Sequence, residues 1–401
     1  MYPIALTMIA MTGLAQPKVG ETLPLWTEGY LDMHHINTGQ GESSFLMLPD
    51  GTTMLVDAGA VGGSQSTKPN GDRTPGEWIS RYILHFLLNQ AEKKLNVVLL
   101  THFHGDHIGS VYPGLKTSKT GGFLLTGITE IGEKIVIDKI VDRDWPGYNW
   151  PKSSEEDNVK NYIRFVKWSV ENNGVKAEQF RVGANDQFAL VHNPEKYPDF
   201  KIRNLAANGH VWTGTGNNKR NHFPSLESLS TSQYPGENMC SAAFRLSYGK
   251  FDYFNGGDIT TTSTRGQWQD IETPVGMVTG PVDVCVANHH GFFDAMGVPF
   301  LQAVRPRVII LQTCAASHPS HSVFLRMLSG GTYPGPRDIF ATNIMQETKV
   351  VIGPRIDNMK SQQGHIVVRV SPGGESYMIY ILDDLQESFT IRTIQGPYSC
   401  N

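Results

Sequence analysis

Four side chains of the kind that binds divalent metals lie within six consecutive residues of the 401-residue sequence. They are His102, His104, Asp106 and His107, in the order His-Phe-His-Gly-Asp-His. Imidazole and carboxylate are ligands that borderline cations such as zinc prefer. On an extended segment His102 and His104 point to the same side, so that they can hold one ion. Because Gly105 permits a sharp turn, Asp106 and His107 can face a second ion, and the cluster predicts a two-metal site.

Further ligands are expected just beyond the ends of other strands. Asp258 follows an apolar run and two glycines, and a carboxylate there can bridge both ions, although a plain turn aspartate has the same pattern. The pair His289 and His290 follows another buried run, and one of the two can complete the shell of the second ion. The spacing leaves the choice open and slightly favours His289.

Short apolar segments that alternate with helical spacing predict a layered α/β protein with its site at strand ends. Strands are predicted at 30–36, 44–48, 53–57, 96–100, 134–140, 244–248, 251–254, 282–286 and 308–311, with two more within 364–382. Helices are predicted at 81–93, 158–171 and 299–304. The histidine cluster begins at the carboxyl end of the strand at 96–100.

With these motifs the chain resembles the metallo-β-lactamase superfamily, and within it the hydrolase domain of ComEC-type DNA-uptake proteins and their free-standing relatives. The motifs that carry the resemblance, between Asp32 and Leu325, are NTGQGES at 37–43, LVDAG at 55–59, 101–109, ENMCS at 237–241, Gly257-Asp258, HHG at 289–291 and His318-Pro319. The resemblance implies a four-layer αββα sandwich. It also implies one hydrolase domain over 25–401, with insertions near 121–175 and 213–236.

The sequence departs from the superfamily pattern at the third ligand of the first metal. That ligand is normally a histidine that precedes the bridging aspartate, but here the segment reads Glu-Asn-Met-Cys at 237–240. His210 is the candidate substitute if 213–236 forms a looped insertion. An ordinary loop histidine is the alternative.

Two further residues are predicted to support the site. In the alignment implied by the resemblance, Asp57 ends its strand facing the cluster and can accept the free N–H of a ligand histidine, or else it stabilises a turn. His318 can offer a proton or a hydrogen bond to a leaving group, and Asp106 can orient the nucleophile. His321, which follows the same strand as His318, can serve the same purpose, and the alternative for both histidines is a polar side chain at the surface with no role in the site.

The predicted activity is hydrolysis by a metal-bound hydroxide, with two divalent metal ions, zinc or else manganese. The resemblance favours a phosphodiester substrate, a nucleotide or nucleic acid. Lactone, amide or ester hydrolysis (β-lactams included), a non-catalytic metal-binding protein of the same fold and an iron redox variant are the alternatives. The aromatic side chains that can stack on bases, or only pack, are Trp145, Tyr148, Trp150 and Trp212.

Composition limits the partners and the compartment. A formal net charge of −4 gives no chain-wide basic field, so a small-molecule or nucleotide substrate fits better than long nucleic acid. The four cysteines, at 240, 285, 314 and 400, form no close pair, and either isolated buried thiols or one or two disulfides are expected. Residues 1–16 look like a signal peptide, which predicts an exported protein, periplasmic or secreted; without a leader it is cytoplasmic. The mature chain has no predicted membrane span, and the sequence does not indicate an oligomeric state.

Overall fold

The structure of the protein is a computed structural model that describes residues 17–59, 61, 73–261 and 267–400. The predicted signal peptide at 1–16 lies outside the described residues. Within the described ranges, no helix has both the length and the apolar character that crossing a bilayer requires.

The described strands form two large sheets and one small one. In chain order they are β1 (Leu31–His35), β2 (Ser44–Met47), β3 (Thr53–Val56), β4 (Lys94–Leu95), β5 (Val97–Leu99), β6 (Val136–Ile137), β7 (Lys139–Asp142), β8 (Lys176–Gln179), β9 (Phe200–Ala207), β10 (His210–Trp212), β11 (Lys219–Asn221), β12 (Ala243–Tyr248), β13 (Phe251–Asn255), β14 (Val284–Val286), β15 (Val308–Leu311), β16 (Asp338–Ala341), β17 (His365–Val370), β18 (Ser376–Leu382) and β19 (Ile391–Ser399). The α-helices are α1 (Pro75–Phe86), α2 (Gly105–Ile108), α3 (Gly127–Lys134), α4 (Asp157–Asn173), α5 (Glu272–Thr279), α6 (Val298–Val304), α7 (His321–Leu328) and α8 (Gln346–Ile352).

The first sheet has the strand order β19-β18-β17-β1-β2-β3-β5-β7-β8, and the second has β11-β10-β9-β12-β13-β14-β15-β16. In both, one part is antiparallel and the other parallel: β3, β5, β7 and β8 run parallel in the first sheet, and β13 to β16 do so in the second. The parallel halves place several strand ends at one edge of each sheet, where the candidate ligands follow.

The two sheets pack face to face because alternate side chains of their strands are apolar on the inner side. Met54 and Val56 of β3 share one buried cluster with Val284 and Val286 of β14. The side chain between each pair points the other way, and Leu55 belongs to a second buried cluster. This inner cluster holds the sheets at a fixed separation.

A helical layer covers the outer face of each sheet. Buried residues of α1, α3 and α4 share the cluster of Leu55 on the first sheet. Buried residues of α5, α6 and α7 share another cluster with Ile309 and Leu311 of β15. The predicted αββα sandwich is therefore confirmed.

The first helix differs from its prediction by several residues. It begins at Pro75 rather than near position 81, because the Thr74 hydroxyl accepts a hydrogen bond from the Glu77 N–H and proline suits the first helical position. It ends at Phe86, so that 87–93 is outside the helix.

The segment predicted as an insertion near 121–175 is built into the layers. It supplies α3, β7 and α4, and β7 pairs in parallel with β5. The other predicted insertion, at 213–236, holds the short edge strand β11 and is largely exposed.

Loss of a large side chain between the sheets is expected to destabilise the fold. Phe244 on β12 is fully buried in the inner cluster. We expect Phe244→Ala to lower the free energy of unfolding by about 3–5 kcal/mol, because the substitution leaves a cavity. Denaturant unfolding measures this, with Val350→Ala, at a 73% exposed position, as the control. A cost below that of the control would contradict the two-sheet core.

Candidate metal centre

The histidine loop starts where β5 ends, and Asp57 at the end of β3 fixes its course. One carboxylate oxygen of Asp57 accepts the Thr101 backbone N–H at 2.8 Å, and the other accepts the Thr101 hydroxyl at 2.7 Å. The latter oxygen also lies 2.8 Å from His107 Nδ1. A proton on Nδ1 leaves the Nε2 lone pair of His107 free to bind a metal. This geometry is that of the predicted supporting role of Asp57.

A close backbone approach holds the other side of the loop. The Ala58 N–H donates to the His107 carbonyl, and the Glu42 N–H donates to the Asp106 carbonyl, each at 2.8 Å. A Cβ at Gly59 would lie 1.7 Å from the Asp106 carbonyl oxygen. Only glycine therefore fits at position 59.

The first set of candidate ligands consists of His102, His104 and Asp258. His102 Nε2 lies 3.2 Å from His104 Nδ1 and 3.6 Å from Asp258 Oδ2. His102 and Asp258 are buried, whereas His104 is partly exposed. The set therefore opens toward solvent on the side of His104.

The second set consists of Asp106, His107, Asp258 and His290. His290 Nε2 lies 3.2 Å from Asp106 Oδ2 and 3.5 Å from Asp258 Oδ2. His107 Nε2 lies 3.2 Å from Asp258 Oδ1. Asp258 belongs to both sets, as a bridging carboxylate would.

The residues present fit divalent cations. His107 Nε2 and Asp258 Oδ1 are buried and lie 3.2 Å apart, and among the described residues neither atom makes a hydrogen bond of acceptable geometry. Buried polar atoms are normally hydrogen-bonded, so each such atom needs an explanation. Imidazole nitrogens and carboxylate oxygens that converge on shared points are zinc-type ligands, and a cation would satisfy both atoms.

The ionisable groups of this cluster balance one another. Burial alone would raise the pKa of Asp258, but the neighbouring His290, His107 and His102 hold it well below its usual value. Burial opposes protonation of His290, yet the carboxylates of Asp258 and Asp106 raise its pKa to about 9. Because ligand imidazoles must be neutral, cation binding has to release such protons.

Of the two neighbouring histidines, both predicted as possible ligands, His290 belongs to the second candidate set, whereas His289 is in neither set and its Nε2 lies 3.9 Å from Asp258 Oδ2. His290 donates its Nδ1–H to the Gln312 carbonyl at 2.7 Å, so that Nε2 faces the carboxylates. His289 Nε2 instead lies 3.0 Å from Asn238 Nδ2, and its Nδ1 lies 2.7 Å from Asp294. Both histidines have left-handed backbone, with φ of 44° and 54°. Backbone strain of this kind costs about 1–3 kcal/mol per residue. The spacing of residues in the sequence does not predict this left-handed turn.

His210, the predicted substitute for the third ligand of the first metal, belongs to neither candidate set among the described residues. It lies in β10, where it pairs with Ala207 on one side and with Asn221 of β11 on the other. Part of the segment 213–236 therefore forms a hairpin with β10 and does not carry His210 toward the cluster. Its side chain lines a small cavity with Lys219 and Gln179.

An ion pair that the sequence did not reveal, between Glu237 and Arg143, supports the histidine loop. Glu237 Oε1 accepts the Phe103 backbone N–H at 2.8 Å, between the two first-set histidines. Arg143 donates to both Glu237 oxygens, at 2.8 and 2.6 Å, and its guanidinium lies 4.5 Å from the centre of the Phe103 ring. Glu237 thus lies in the segment where the superfamily pattern has the third histidine of the first metal. Here the residue supports the histidine loop.

His318 borders the second set. Its Nδ1 accepts the N–H groups of Cys314 and Ala315, at 3.3 and 3.2 Å, which assigns the ring proton to Nε2. The ring stacks on His290 with centroids 5.0 Å apart. Burial, and then the charges of His290 and His289, lower the pKa of His318 to about 3. The neutral ring is a hydrogen-bond donor at the edge of the site.

All four cysteines have free thiols, and three of them are buried. Cys314 is the half-buried one, and its Sγ lies 2.9 Å from Asp106 Oδ2. This contact could not be predicted from the sequence, because Cys314 and Asp106 are far apart along the chain.

A cleft of about 740 Å³ adjoins the histidine loop at Phe103. Trp150 and Tyr234 line it, together with the buried Tyr148. Most of the aromatic groups singled out in the sequence have packing roles. Tyr148 donates to Asp142, Trp150 stacks on Phe223 with an interplanar angle of 5°, and Trp145 packs on the first sheet's outer cluster. Trp212 packs on the second sheet's outer cluster.

Weakening the support from Asp57 is expected to weaken metal binding. In Asp57→Asn the amide can no longer accept both Thr101 and His107 donors as a carboxylate does. We expect metal affinity to fall about 10- to 100-fold, as is usual for residues that orient a ligand. Titration with zinc against a chelating dye measures this, and Asp186→Asn, at an exposed site, is the control. Equal affinity in both variants would contradict the orienting role.

Residues 37–151 match a family model described as the metallo-beta-lactamase superfamily. Comparison with curated proteins gives no significant match. Among solved structures, one protein from Parabacteroides distasonis, provisionally described as a metal-dependent hydrolase, is 13% identical, with 83% of this chain and 92% of that chain covered and a TM-score of 0.33. The short form of human tRNase Z is also 13% identical, with 69% and 91% covered and a TM-score of 0.33.

Both structural similarities are too low to bear on the activity of this chain. The family match spans the histidine loop, and the rest of the fold completes the four layers around it. The fold implies a divalent metal ion, typically zinc, and the clusters of histidine and aspartate provide the ligand types it needs. Residues 37–151 thus resemble a metallo-β-lactamase superfamily hydrolase domain, and the αββα arrangement of the described elements is consistent with that match.

Proposed function

We propose that the protein is a metal-dependent phosphodiesterase that acts on a small phosphodiester, a nucleotide or similar molecule, with two divalent cations. Zinc is the first candidate and manganese the second. The observation that carries this proposal is the position of Asp258, whose carboxylate belongs to both candidate ligand sets. Two-metal sites with a shared ligand suit in-line displacement at phosphorus, because each cation faces one of the two exchanging oxygens.

The residues of the chain divide the work between holding and orienting. His102, His104 and Asp258 would bind one cation. Asp106, His107 and His290 would bind the other, together with the same Asp258. When bound, divalent cations lower the pKa of water and polarise the scissile group. Asp106 is 17% exposed at its side chain and stands at the opening of the second set, where it can accept a hydrogen bond from the attacking water.

His318 is proposed to face the leaving group. Two backbone N–H groups point at its Nδ1, so the ring presents an Nε2–H. Its stacking on His290 fixes the plane of the ring. A hydrogen bond from this N–H to a developing oxyanion stabilises the transition state without a change in the charge of the histidine.

The cleft beside the histidine loop favours a small substrate. Four of its lining residues are acidic, namely Asp144, Glu155, Glu156 and Glu237, and two are basic, namely Arg143 and Lys152. Arg143 is also paired with Glu237. A long polyanion would be repelled here, as the net charge of −4 also suggests. The resemblance of the sequence motifs to ComEC-type domains supports the phosphodiester itself.

The same acidic lining supports a second candidate, hydrolysis of an uncharged lactone, ester or amide. An uncharged substrate is not repelled by the carboxylates around the cleft. The reacting carbonyl would take the position of the phosphoryl group, and the same residues would hold the cations.

Removal of either central carboxylate is expected to abolish hydrolysis. We expect Asp258→Ala and Asp106→Ala to lower kcat/KM by more than about 100-fold, beyond the usual cost of losing an orienting residue. Asp258→Ala should also lower the bound metal, measured by elemental analysis, because both sets lose a ligand. Asp186→Ala, at a 67% exposed side chain, is the matched control. Retained activity in both variants would refute the proposed mechanism.

A substrate panel separates the two candidates. Metal-loaded protein is assayed with bis-p-nitrophenyl phosphate, small cyclic and linear dinucleotides, a lactone series and nitrocefin. Turnover of the phosphodiesters that depends on Asp258 supports the phosphodiesterase. Turnover of lactones or nitrocefin without phosphodiester cleavage would replace it with the second candidate.

A further inference from the structure

The side chain of Glu272 is fully buried at the start of α5. Its Oε1 accepts the Asn288 side-chain N–H at 2.7 Å and the Met296 backbone N–H at 2.6 Å. Its Oε2 accepts the Gly297 backbone N–H at 2.7 Å. All three donors lie within residues 288–297, which we call the His290 loop. The carboxylate therefore joins the two ends of the His290 loop.

The main chain at the start of α5 contacts the loop that carries Asp258. The backbone N–H groups of Ile271 and Glu272 both donate to the Thr260 carbonyl, at 3.1 and 3.0 Å. Thr260 lies two residues after Asp258. One helix start thus contacts both loops of the second sheet that supply ligands to the second set.

Asn288 lies between the buried carboxylate and the glycines that precede Asp258. A Cβ at Gly256 would lie 2.4 Å from Asn288 Oδ1. Among the described residues this oxygen has no hydrogen-bond partner, so the bond donated by Nδ2 orients the Asn288 side chain. The next residue, His289, donates its backbone N–H to the Gly257 carbonyl at 3.1 Å. The position of Asn288 therefore sets where the His290 loop begins.

The turn that follows Asn288 has an unfavourable backbone conformation. His289 has φ 44° and ψ 45°, and His290 has φ 54° and ψ 15°. Left-handed backbone at such residues persists only where surrounding contacts enforce it. A buried carboxylate is itself costly, and the three N–H donors of the loop offset that cost. Glu272 and the His290 loop therefore stabilise each other.

We propose that Glu272 is a positioning residue that holds His290 at the second cation position through Asn288. The proposal rests on the proposed metal-dependent function and deepens it, because it assigns the alignment of one ligand to a residue outside both ligand sets. Without the three hydrogen bonds, the turn at 289–290 can relax toward ordinary backbone. The Nε2 atom of His290 would then move away from Asp258 Oδ2, which now lies at 3.5 Å.

The two cation positions should respond unequally to the loss of this carboxylate. His102 and His104 belong to the loop after β5, which Glu272 does not contact. The main-chain bonds to Thr260 remain when only the side chain is changed. We therefore expect one zinc equivalent to weaken and the other to keep its affinity.

The test measures the zinc affinity of the full chain against a chelating dye, at a temperature where every variant is folded. We expect Glu272→Ala to weaken one zinc equivalent about tenfold or more, as is usual for a residue that orients a ligand. Asn288→Ala should have the same effect, and the double variant should lose no more than either single one, because both changes break the same contact. In Glu272→Gln the amide oxygen can still accept from Asn288 and Met296, so most of the affinity should return.

Asp50→Ala is the matched control. Asp50 is also a buried carboxylate, and it accepts the backbone N–H groups of Thr52, His192 and Asn193 at 2.8 to 2.9 Å. It precedes β3, whereas Asp57 at the metal centre follows that strand. A purely structural loss should therefore lower the melting temperature of Asp50→Ala without a change in zinc affinity. Should Glu272→Ala not fold, Asn288→Ala is compared with this control in its place.

The outcomes separate this proposal from the proposed function. Zinc affinities in Glu272→Ala and Asn288→Ala equal to that of Asp50→Ala, or additive losses in the double variant, would overturn the positioning role and leave the metal centre intact. A wild type that binds two zinc equivalents but cleaves no phosphodiester would overturn the proposed substrate, and the zinc titrations would still decide the role of Glu272. A wild type that binds no stoichiometric zinc would overturn both.

Discussion

The carboxylate of Asp258 is enclosed by imidazoles in a position where water cannot reach it, and the rest of the centre is arranged around that buried charge. An isolated buried carboxylate is costly, so it requires positive charge at its side. Protons on His107 and His290 provide that charge, or cations do. Because the buried carboxylate requires positive charge beside it, the loops after β5, β13 and β14 must meet at one point. The chemistry of the site and the stability of these loops are therefore tied to the same electrostatic requirement.

The centre also joins the two sheets. The histidine loop and Asp57 belong to the first sheet, whereas Asp258, His290 and Cys314 follow strands of the second. The distances between ligands thus depend on the apolar cluster that separates the sheets, in which Met54 of one sheet packs with Val284 of the other. A change in the packing of that cluster would shift one half of the ligand set against the other.

Much of this could be predicted from the sequence, because the informative residues are close together in the chain. The loop at 102–107 carries four ligand side chains within six residues, and Asp258 follows a strand through glycines. The alternation of apolar residues located most strands of the two sheets, and the resemblance supplied the order of the layers. These are local signals, which a single sequence retains.

What the sequence did not reveal depends on contacts between distant segments. The left-handed turn at 289–290 decides which histidine faces Asp106, and no spacing rule encodes that turn. His210 was suggested by residue type alone, but the β10–β11 pairing holds it elsewhere. Glu237 contacts Phe103, and Cys314 contacts Asp106, and both partners lie far away in sequence. The pairing of β17 with β1 likewise joins the two ends of the chain.

The close approach of Gly59 to Asp106 restricts how this centre can change over evolutionary time. Any side chain at position 59 would overlap the main chain of the metal-binding loop. Variants of the protein with altered specificity are therefore expected to arise through residues of the neighbouring cleft, while the contact between the β3 end and the loop stays invariant. Libraries for directed evolution would gain by sparing this position.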